Sequence, residues 1–190
     1  AGSSEMFGNV TQSRQNENTK FNPRSAYGIS KVAGFQLTKN YRDAHNLFAC
    51  TGILYNHESP RRSINFVSKK IAVSVAKIQK GIDNKIKLGD INSKRDWGHA
   101  KDYVLAMWKI LQLEKPKDFV VGSGQQHSVK DFLKIATAYA KIGNYKKYLQ
   151  IDKNLIRKND KNNLKADIRK AQKYIKWKPK ISFHDLVISM

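Results

Sequence analysis

Two short stretches near the start of the chain contain the residue types that proton and hydride transfer require. SSEMFG, at residues 3–8, offers two hydroxyl groups and the carboxylate of Glu5. YGISK follows 22 residues after Glu5 and places Tyr27 and Lys31 four positions apart. Side chains four apart share one face of a helix, so the Lys31 ammonium can approach the Tyr27 hydroxyl and lower its pKa. Such a phenol can accept a proton from a substrate hydroxyl while a hydride leaves the same carbon.

The spacing of the tyrosine and the lysine is weak evidence by itself. The chain has eight tyrosines and is rich in lysine, and Tyr174 with Lys178 gives a second copy, which we attribute to chance, in a basic segment. The first copy differs because other residues suited to catalysis lie nearby in the sequence: Ser3 or Ser4 can supply a hydroxyl, and Glu5 can supply a base. The candidate catalytic residues are therefore Ser3, Glu5, Tyr27 and Lys31.

The hydrophobic pattern predicts a mixed order of helices and strands. Helices are predicted over residues 24–45, 64–81, 99–115 and 127–143. A near-continuous apolar run predicts a buried strand over 46–55. Residues 85–90 are predicted to be a short strand that ends in a turn, and residues 118–124 a strand that leads into a loop. Ser128 is a suitable N-terminal cap for the last helix, and Gly143 a suitable stop. Without repeats or low-complexity linkers, this order favours an α/β fold with an open sheet flanked by helices.

A glycine-rich turn for a dinucleotide is missing from these residues. Dinucleotide-binding sheets normally begin with such a turn, which seats the pyrophosphate at a helix N-terminus. Neither G-x-G-x-x-G nor G-x-x-G-x-x-G occurs, and the nearest candidate, GSGQQH at 122–127, lacks the later glycine. We therefore expect that the phosphate cradle of a dinucleotide cofactor does not lie in these 190 residues.

The net charge of +21 raises the question of a nucleic-acid partner. Residues 141–180 contain 14 Lys and Arg against three Asp, so 14 − 3 = +11 of the excess falls in this segment. The basic residues of the chain are mostly lysine, whereas specific nucleic-acid readers favour arginine forks and stacked aromatics. Compositional drift explains this pattern better, and we do not expect nucleic acid to be a partner.

Cysteine content and hydropathy suggest where the protein works. Cys50 is the single cysteine and cannot form an internal disulfide, which favours a reducing compartment. No stretch approaches the ~20 apolar residues of a membrane span, and the start of the chain lacks the pattern of a signal peptide. The histidines show no metal-ligand spacing. We expect a soluble cytoplasmic protein without a membrane partner or a metal site.

Several motifs, in order along the chain, resemble the GDP-mannose 4,6-dehydratase family of extended short-chain dehydrogenases/reductases. They are SSEMFG, FNPRSAYGISK, FACTGILYNHESPRR, KRDWGHAKDYVLAMW and KAQKYIKWKPKISFHDLV. The resemblance implies the C-terminal part of an NAD(P)-binding, Rossmann-like doubly wound sheet and a small mixed α/β substrate-binding domain. Residues 1–55 would be the end of the sheet with the catalytic residues, and 56–190 mainly the substrate-binding region.

The resemblance also implies a reaction. GDP-mannose would lose water to give GDP-4-keto-6-deoxymannose, on the route to GDP-fucose, with no net use of NADP. Tyr27 would take the proton of the C4 hydroxyl, Lys31 would hold the tyrosinate and the nicotinamide ribose, and Ser3 would bind the C4 oxygen. Glu5 would remove the C5 proton and help to expel the C6 hydroxyl.

Binding roles are implied for further residues. Tyr27, Lys31, His57 and Arg62 would bind the cofactor. The substrate would be bound by Ser4, Asn56, Lys70, Arg95, Arg157 and Asp160. The tail departs from the family pattern Arg-Pro-x-Glu-Val-Asp, because Lys158 replaces the proline and Asp160 the glutamate. The shorter carboxylate puts affinity for the GDP end in question.

Two alternatives remain open at this stage. One is a basic nucleic-acid-binding protein derived from the same fold, and the other is a dehydratase for another nucleotide sugar. Joint retention of the four candidate catalytic residues argues against the first. We expect the complete enzyme to include an N-terminal half and to be a homo-oligomer, and the 190 residues alone to be inactive.

Overall fold

The computed structural model describes residues 1–156 and 164–190, which form two compact units. The first unit comprises residues 1–57, 96–126 and a third segment that ends at Lys180. The second comprises residues 58–95, a segment that begins at His127, and residues 181–190. The chain therefore passes between the units several times. The predicted assignment of residues 1–55 to the catalytic sheet and 56–190 to substrate binding stays a prediction.

The first unit is built on a parallel sheet. Strands β1 (Gly2–Ser3), β2 (Gly52–Leu54) and β7 (Phe119–Val121) lie in the order β1-β2-β7. Parallel neighbours need crossover connections, and helix α1 (Ala26–His45) lies between β1 and β2 in the chain. Helices α3 (Ala100–Ile110) and α5 (Arg169–Ile175) also belong to this unit, and β3 (Asn56–Glu58) pairs with β6 (Trp97–His99). The predicted α/β class is confirmed.

The core of the first unit comes from the sheet and the helices around it. Burying this apolar surface is the main favourable term in folding the unit. Its fully buried members include Phe7, Ile53, Tyr103, Phe119, Val120, Val121 and Trp177.

Helix α1 matches its prediction to within two residues at its start. Ser25 caps it, because the Ser25 side chain accepts a hydrogen bond of 3.0 Å from the Gly28 N–H. Asn46 ends it in the left-handed conformation, with φ of 53°. Asparagine tolerates this region better than most residues.

The strand predicted over 46–55 is wrong in its first half. Only Gly52–Leu54 is a strand, and Leu47 and Phe48 are 50% and 44% exposed. Side chains bind the intervening backbone: Arg42 donates to the Ala49 carbonyl at 3.0 Å, and the Thr51 N–H donates to Asp118 at 2.7 Å. An apolar run alone does not show that the segment after a helix is irregular rather than a strand.

The second unit contains the shorter, mixed elements. They are α2 (Val67–Gln79), β4 (Ile86–Leu88), β5 (Lys94–Arg95), β8 (His127–Ser128), α4 (Val129–Tyr139), β9 (Leu149–Ile151) and α6 (Phe183–Ser189). β4 and β9 pair in parallel, and β5 and β8 pair antiparallel. Helix α4 packs against α2 and α6.

Helix ends in both units differ from their predictions. Ser128 caps α4 as predicted, in a reciprocal pair with Asp131, but α4 ends at Tyr139, before Gly143. Helix α3 ends at Ile110, where the prediction extended to residue 115, because the next amides form tighter turns, such as Gln112 N–H to Lys109 O at 3.2 Å. No helix in the described ranges is long and apolar enough to cross a membrane.

Candidate active site

Helix α1 lies against the end of β1, and a glycine makes that contact close. A Cβ on Gly28 would lie 2.7 Å from the Glu5 carbonyl oxygen and 3.0 Å from Pro23 Cβ. Only glycine therefore allows this approach without a shift of the backbone. Since Tyr27 precedes Gly28 and Lys31 lies one turn later, the contact brings all four candidate catalytic residues into one region.

Ser3 and Glu5 are presented by a 3-10 turn, Ser4–Met6, that directly follows β1. Ser3 caps this turn, and its Oγ accepts a hydrogen bond of 3.3 Å from the Glu5 N–H. Ser3 is half-buried and Glu5 is exposed, so both can meet a ligand, whereas Ser4 is 3% exposed. A substrate contact by Ser4 stays a prediction.

Lys31 lies beside Tyr27, as the spacing predicted. The Lys31 Nζ atom is 5.6 Å from the centre of the Tyr27 ring. It also donates a hydrogen bond of 3.2 Å to the carbonyl oxygen of Ala1, immediately before β1. Tyr27 is 55% exposed. The helix thus places a phenol and an ammonium at the end of a parallel strand, where ligands of open α/β sheets bind.

His57 is oriented by two neighbours in the first unit. Its Nδ1 lies 2.9 Å from the Tyr55 carbonyl oxygen, and its ring centre is 5.0 Å from that of Tyr103. A carbonyl only accepts hydrogen bonds, so we assign the proton to Nδ1 and leave Nε2 as an acceptor. Neighbouring Asn56 is half-buried, and its backbone oxygen accepts from the Tyr103 hydroxyl at 3.4 Å.

Arg62, Lys70 and Arg95 lie in the second unit. Arg62 stacks on the Phe66 ring, with Cζ 3.5 Å from the ring centre, and its side chain is 26% exposed. Lys70 is half-buried in α2, and half-buried Arg95 donates to the Lys94 carbonyl at 2.7 Å. Arg157 and Asp160 lie outside the described residues. The structure therefore gathers Ser3, Glu5, Tyr27, Lys31, Asn56 and His57 in one unit and Arg62, Lys70 and Arg95 in the other.

The first unit also contains a buried polar centre that the sequence motifs did not predict. Asp96, 2% exposed, accepts hydrogen bonds from the Ser123 N–H and Oγ at 2.7 and 2.6 Å, and from the Gly124 and Ala166 N–H groups, both at 2.9 Å. Burial raises the pKa of Asp96, and these hydrogen bonds oppose the rise. KRDWG marked the position of Asp96, but its partners are remote in sequence.

Gln15 binds the segment of residues 164–167, which also contains the Asp96 partner Ala166. Its Oε1 accepts hydrogen bonds from the Tyr55 hydroxyl at 2.9 Å and the Lys165 N–H at 2.8 Å. Its backbone pairs with Lys165 and Asp167, each at 2.9 Å. Burial raises the pKa of Tyr55, so its hydroxyl remains a proton donor to Gln15. Residues 164–167 are thereby held between the loop that follows Glu5 and the loop that follows β7.

Among the described residues, no group of three or more His, Cys, Asp or Glu side chains is placed to hold a metal ion. The candidate site consists of a serine, a carboxylate and a Tyr–Lys pair at the end of a parallel strand. With its fold, this arrangement defines the extended short-chain dehydrogenase/reductase class. The family model of GDP-mannose 4,6 dehydratase matches residues 1–190. The chain belongs to that family.

Curated relatives agree with this assignment. The chain is 50% identical over 190 residues to GDP-mannose 4,6 dehydratase 1 of Arabidopsis thaliana, covering 100% of the chain and 52% of the relative. It is 41% identical over 206 residues to the GDP-mannose 4,6 dehydratase of Homo sapiens, covering 100% of the chain and 55% of the relative. The chain thus spans about half the length of the curated relatives it matches.

Solved structures confirm the Rossmann-type fold. RMD from Pseudomonas aeruginosa, complexed with NADPH, matches with a TM-score of 0.89 at 20% identity, over 99% of this chain and 62% of that one. The dTDP-glucose 4,6-dehydratase of Bacillus anthracis, in complex with NAD, matches with a TM-score of 0.81 at 19% identity, over 98% and 57%. At these identities the likeness concerns the fold alone.

Proposed function

We propose that the protein containing this chain converts GDP-mannose to GDP-4-keto-6-deoxymannose, as a hydro-lyase with NADP. The observation that carries the proposal is the close contact at Gly28, which sets Tyr27 and Lys31 beside Ser3 and Glu5. A plain dehydrogenase needs no carboxylate two residues beyond the hydroxyl, whereas an elimination needs a base. Membership of the dehydratase family supports the same reaction.

Oxidation at C4 is assigned to Tyr27, Lys31 and Ser3. Tyr27 takes the proton of the C4 hydroxyl, and the nearby Lys31 ammonium stabilises the negative charge on the phenolate. Ser3 donates a hydrogen bond to the C4 oxygen as it becomes a carbonyl. The exposed Tyr27 ring and the half-buried Ser3 fit groups that meet a sugar.

Elimination of water is assigned to Glu5. The C4 carbonyl acidifies the proton on C5, and the exposed Glu5 carboxylate removes it. The electron pair of the C5–H bond forms the C5–C6 double bond as the C6 hydroxyl leaves. Glu5 returns its proton to that leaving group, so water departs and the carboxylate is restored.

The residues present fit a nicotinamide dinucleotide phosphate. Arg62 is stacked on Phe66 with its side chain 26% exposed, and an arginine fork suits a phosphate. His57 offers Nε2, while Tyr27 and Lys31 adjoin the sugar site. When bound, this cofactor would accept the hydride from C4 and return it to C6, with no net consumption.

The remaining assignments concern binding and context. Asn56, Ser4, Lys70, Arg95, Arg157 and Asp160 would bind GDP-mannose. The complete enzyme would be a cytoplasmic homo-oligomer that acts in GDP-fucose biosynthesis, and its glycine-rich cofactor turn would come from an N-terminal half beyond these 190 residues.

Joining this chain to the preceding half of the Arabidopsis relative tests the proposal. The joined protein, incubated with NADP, should convert GDP-mannose to a 4-keto-6-deoxy product visible by mass spectrometry as a loss of water. It should leave UDP-glucose and dTDP-glucose unchanged. The 190-residue chain alone is the control and should give no product. Dehydration of another nucleotide sugar in preference to GDP-mannose would contradict the substrate assignment.

A further inference from the structure

A buried carboxylate lies next to Arg62 in the second unit. Glu58 is 2% exposed. Its Oε2 accepts a hydrogen bond of 2.6 Å from the Ser68 hydroxyl and lies 3.1 Å from Arg62 Nε. Burial raises the pKa of Glu58, while Ser68 and Arg62 oppose the rise. A buried carboxylate is costly unless it is paired, so the Arg62 contact is part of what makes this burial tolerable.

Two contacts fix the Arg62 guanidinium. Its face stacks on Phe66 at 3.5 Å, and its Nε edge adjoins Glu58 at 3.1 Å. Nε is buried and forms no hydrogen bond in the described part of the chain, so the contact with Glu58 acts as an ion pair. The stacking sets the plane of the group, and the ion pair sets its rotation within that plane.

The outer edge of the guanidinium remains available. Within the described ranges, neither Nη atom of Arg62 forms a hydrogen bond or ion pair with another residue. The side chain is 26% exposed, and its buried nitrogen is Nε, on the edge that faces Glu58. A guanidinium edge with two parallel N–H groups matches a phosphate in a bidentate manner.

We propose that Glu58 is a positioning residue, which holds Arg62 so that its fork is ready for a phosphate group. The proposal deepens the proposed function, on which it rests for assigning Arg62 to the cofactor. Ser68 holds Glu58 in turn, because it lies in the first turn of α2 and donates to the same carboxylate oxygen. Fixing the fork in advance removes part of the ordering cost that binding would otherwise incur.

The charge of Glu58 and its positioning of Arg62 predict opposite effects of a Glu58 substitution on phosphate binding. Ionised Glu58 places a negative charge 3.1 Å from Arg62, so removing that charge should by itself strengthen the attraction of an anion to this position. If Glu58 positions Arg62, the same substitution should weaken bidentate binding, because the fork becomes free to rotate. Glu58→Gln keeps the size of the side chain and changes only the charge and one acceptor.

In the experiment, the ¹⁵N-labelled 190-residue chain is titrated with inorganic pyrophosphate in about 0.15 M NaCl. Binding is measured by NMR from the shift of the Arg62 Nε–H signal. Asp90→Asn is the matched control, because it also removes one negative charge in the second unit, at an exposed turn. We expect Glu58→Gln to raise the dissociation constant at Arg62 about tenfold and Asp90→Asn to leave it within about twofold. Arg62→Lys keeps the charge but loses the fork, so its affinity, read from the backbone amides of residues 61–66, should also fall.

A cycle of variants tests whether Glu58 acts through Arg62. Once Arg62 is alanine, Glu58→Gln should have no further effect on pyrophosphate binding, read from the backbone amides of residues 61–66. Equal or tighter binding by Glu58→Gln, or an equal loss in both backgrounds, would overturn the proposal. If circular dichroism shows Glu58→Gln unfolded, Ser68→Ala takes its place, with an expected loss of about threefold, and unchanged binding would count against the proposal. Failure of the joined protein with GDP-mannose would instead concern the proposed function, since pyrophosphate binding requires neither substrate nor turnover.

Discussion

Asp96→Asn should strongly destabilise the first unit, although the two side chains have nearly the same shape. In the native chain, Asp96 Oδ1 accepts from Ser123 N–H and Oγ, and Oδ2 accepts from Gly124 N–H and Ala166 N–H. An asparagine has only one oxygen, so its NH₂ group must face donors on one side. On the Oδ2 side two backbone N–H groups would lose their acceptor, whereas on the Oδ1 side Ser123 Oγ can accept from the NH₂ group and only the Ser123 N–H loses its acceptor.

The size of the effect follows from the less costly orientation of the amide, in which the Ser123 N–H loses its acceptor. A hydrogen bond to a charged group contributes about 1.5–3 kcal/mol, so Asp96→Asn should lower the free energy of unfolding by at least roughly 1.5–3 kcal/mol. Folded domains are stable by only about 5–15 kcal/mol, so this loss is a large fraction of the total. Exposed Asp90→Asn, the control, should lower it by less than about 1 kcal/mol.

Urea unfolding, followed by tryptophan fluorescence, measures the difference, and buried Trp97 lies next to the substitution. Hydrogen exchange localises it, because the amides of Ser123, Gly124 and Ala166 should lose protection first. A loss no larger than that of Asp90→Asn would refute the reasoning. It would mean that Asp96 is protonated in the native chain, a state that asparagine imitates.

Three further predictions concern packing, pH and charge. Gly122→Ala should lower the free energy of unfolding by about 1–3 kcal/mol, because its methyl would overlap Ala166 Cβ. Adding Ala166→Gly should restore most of this loss, and purely additive effects of the two substitutions in urea unfolding would contradict the prediction. Burial raises the pKa of Glu58, so the native state binds its proton at a higher pH than the unfolded chain does. The stability of the wild type relative to Glu58→Gln should therefore rise as the pH falls from about 8 to about 5. A decrease in relative stability over that range would contradict the direction of the pKa shift. Binding to random duplex DNA, driven by the charge of +21, should vanish by about 200 mM salt in a fluorescence-anisotropy titration, and tight binding at that salt would favour a nucleic-acid partner.

The sequence predicted those parts of the fold that local chemistry determines. Helix α1 was predicted almost to the residue, because Ser25 caps its start and no breaker interrupts it. The group of Ser3, Glu5, Tyr27 and Lys31 was also predictable, since a helix fixes the last two and a short turn the first two. Where a helix ends in tight turns rather than at glycine or proline, as α3 does, its predicted end lies too far along the chain.

Features that depend on distant contacts could not be predicted. The run at 46–51 has the composition of a buried strand, but Arg42 and Asp118 bind its backbone, and Asp118 lies 67 positions from Thr51. Asp96 reaches Ala166 across 70 positions, which no local pattern indicates. The alternation of the chain between two units also depends on such contacts.

The division of labour between Tyr27 and Glu5 is the central claim, and single-turnover absorbance of reduced NADP tests it most directly. In the joined protein with GDP-mannose, Glu5→Gln should still show transient reduction of NADP but form no dehydrated product, because oxidation at C4 does not need the carboxylate. Tyr27→Phe should show neither. Equal loss of the absorbance signal in both variants, or dehydrated product from Glu5→Gln, would contradict the assignment of oxidation to Tyr27 and elimination to Glu5.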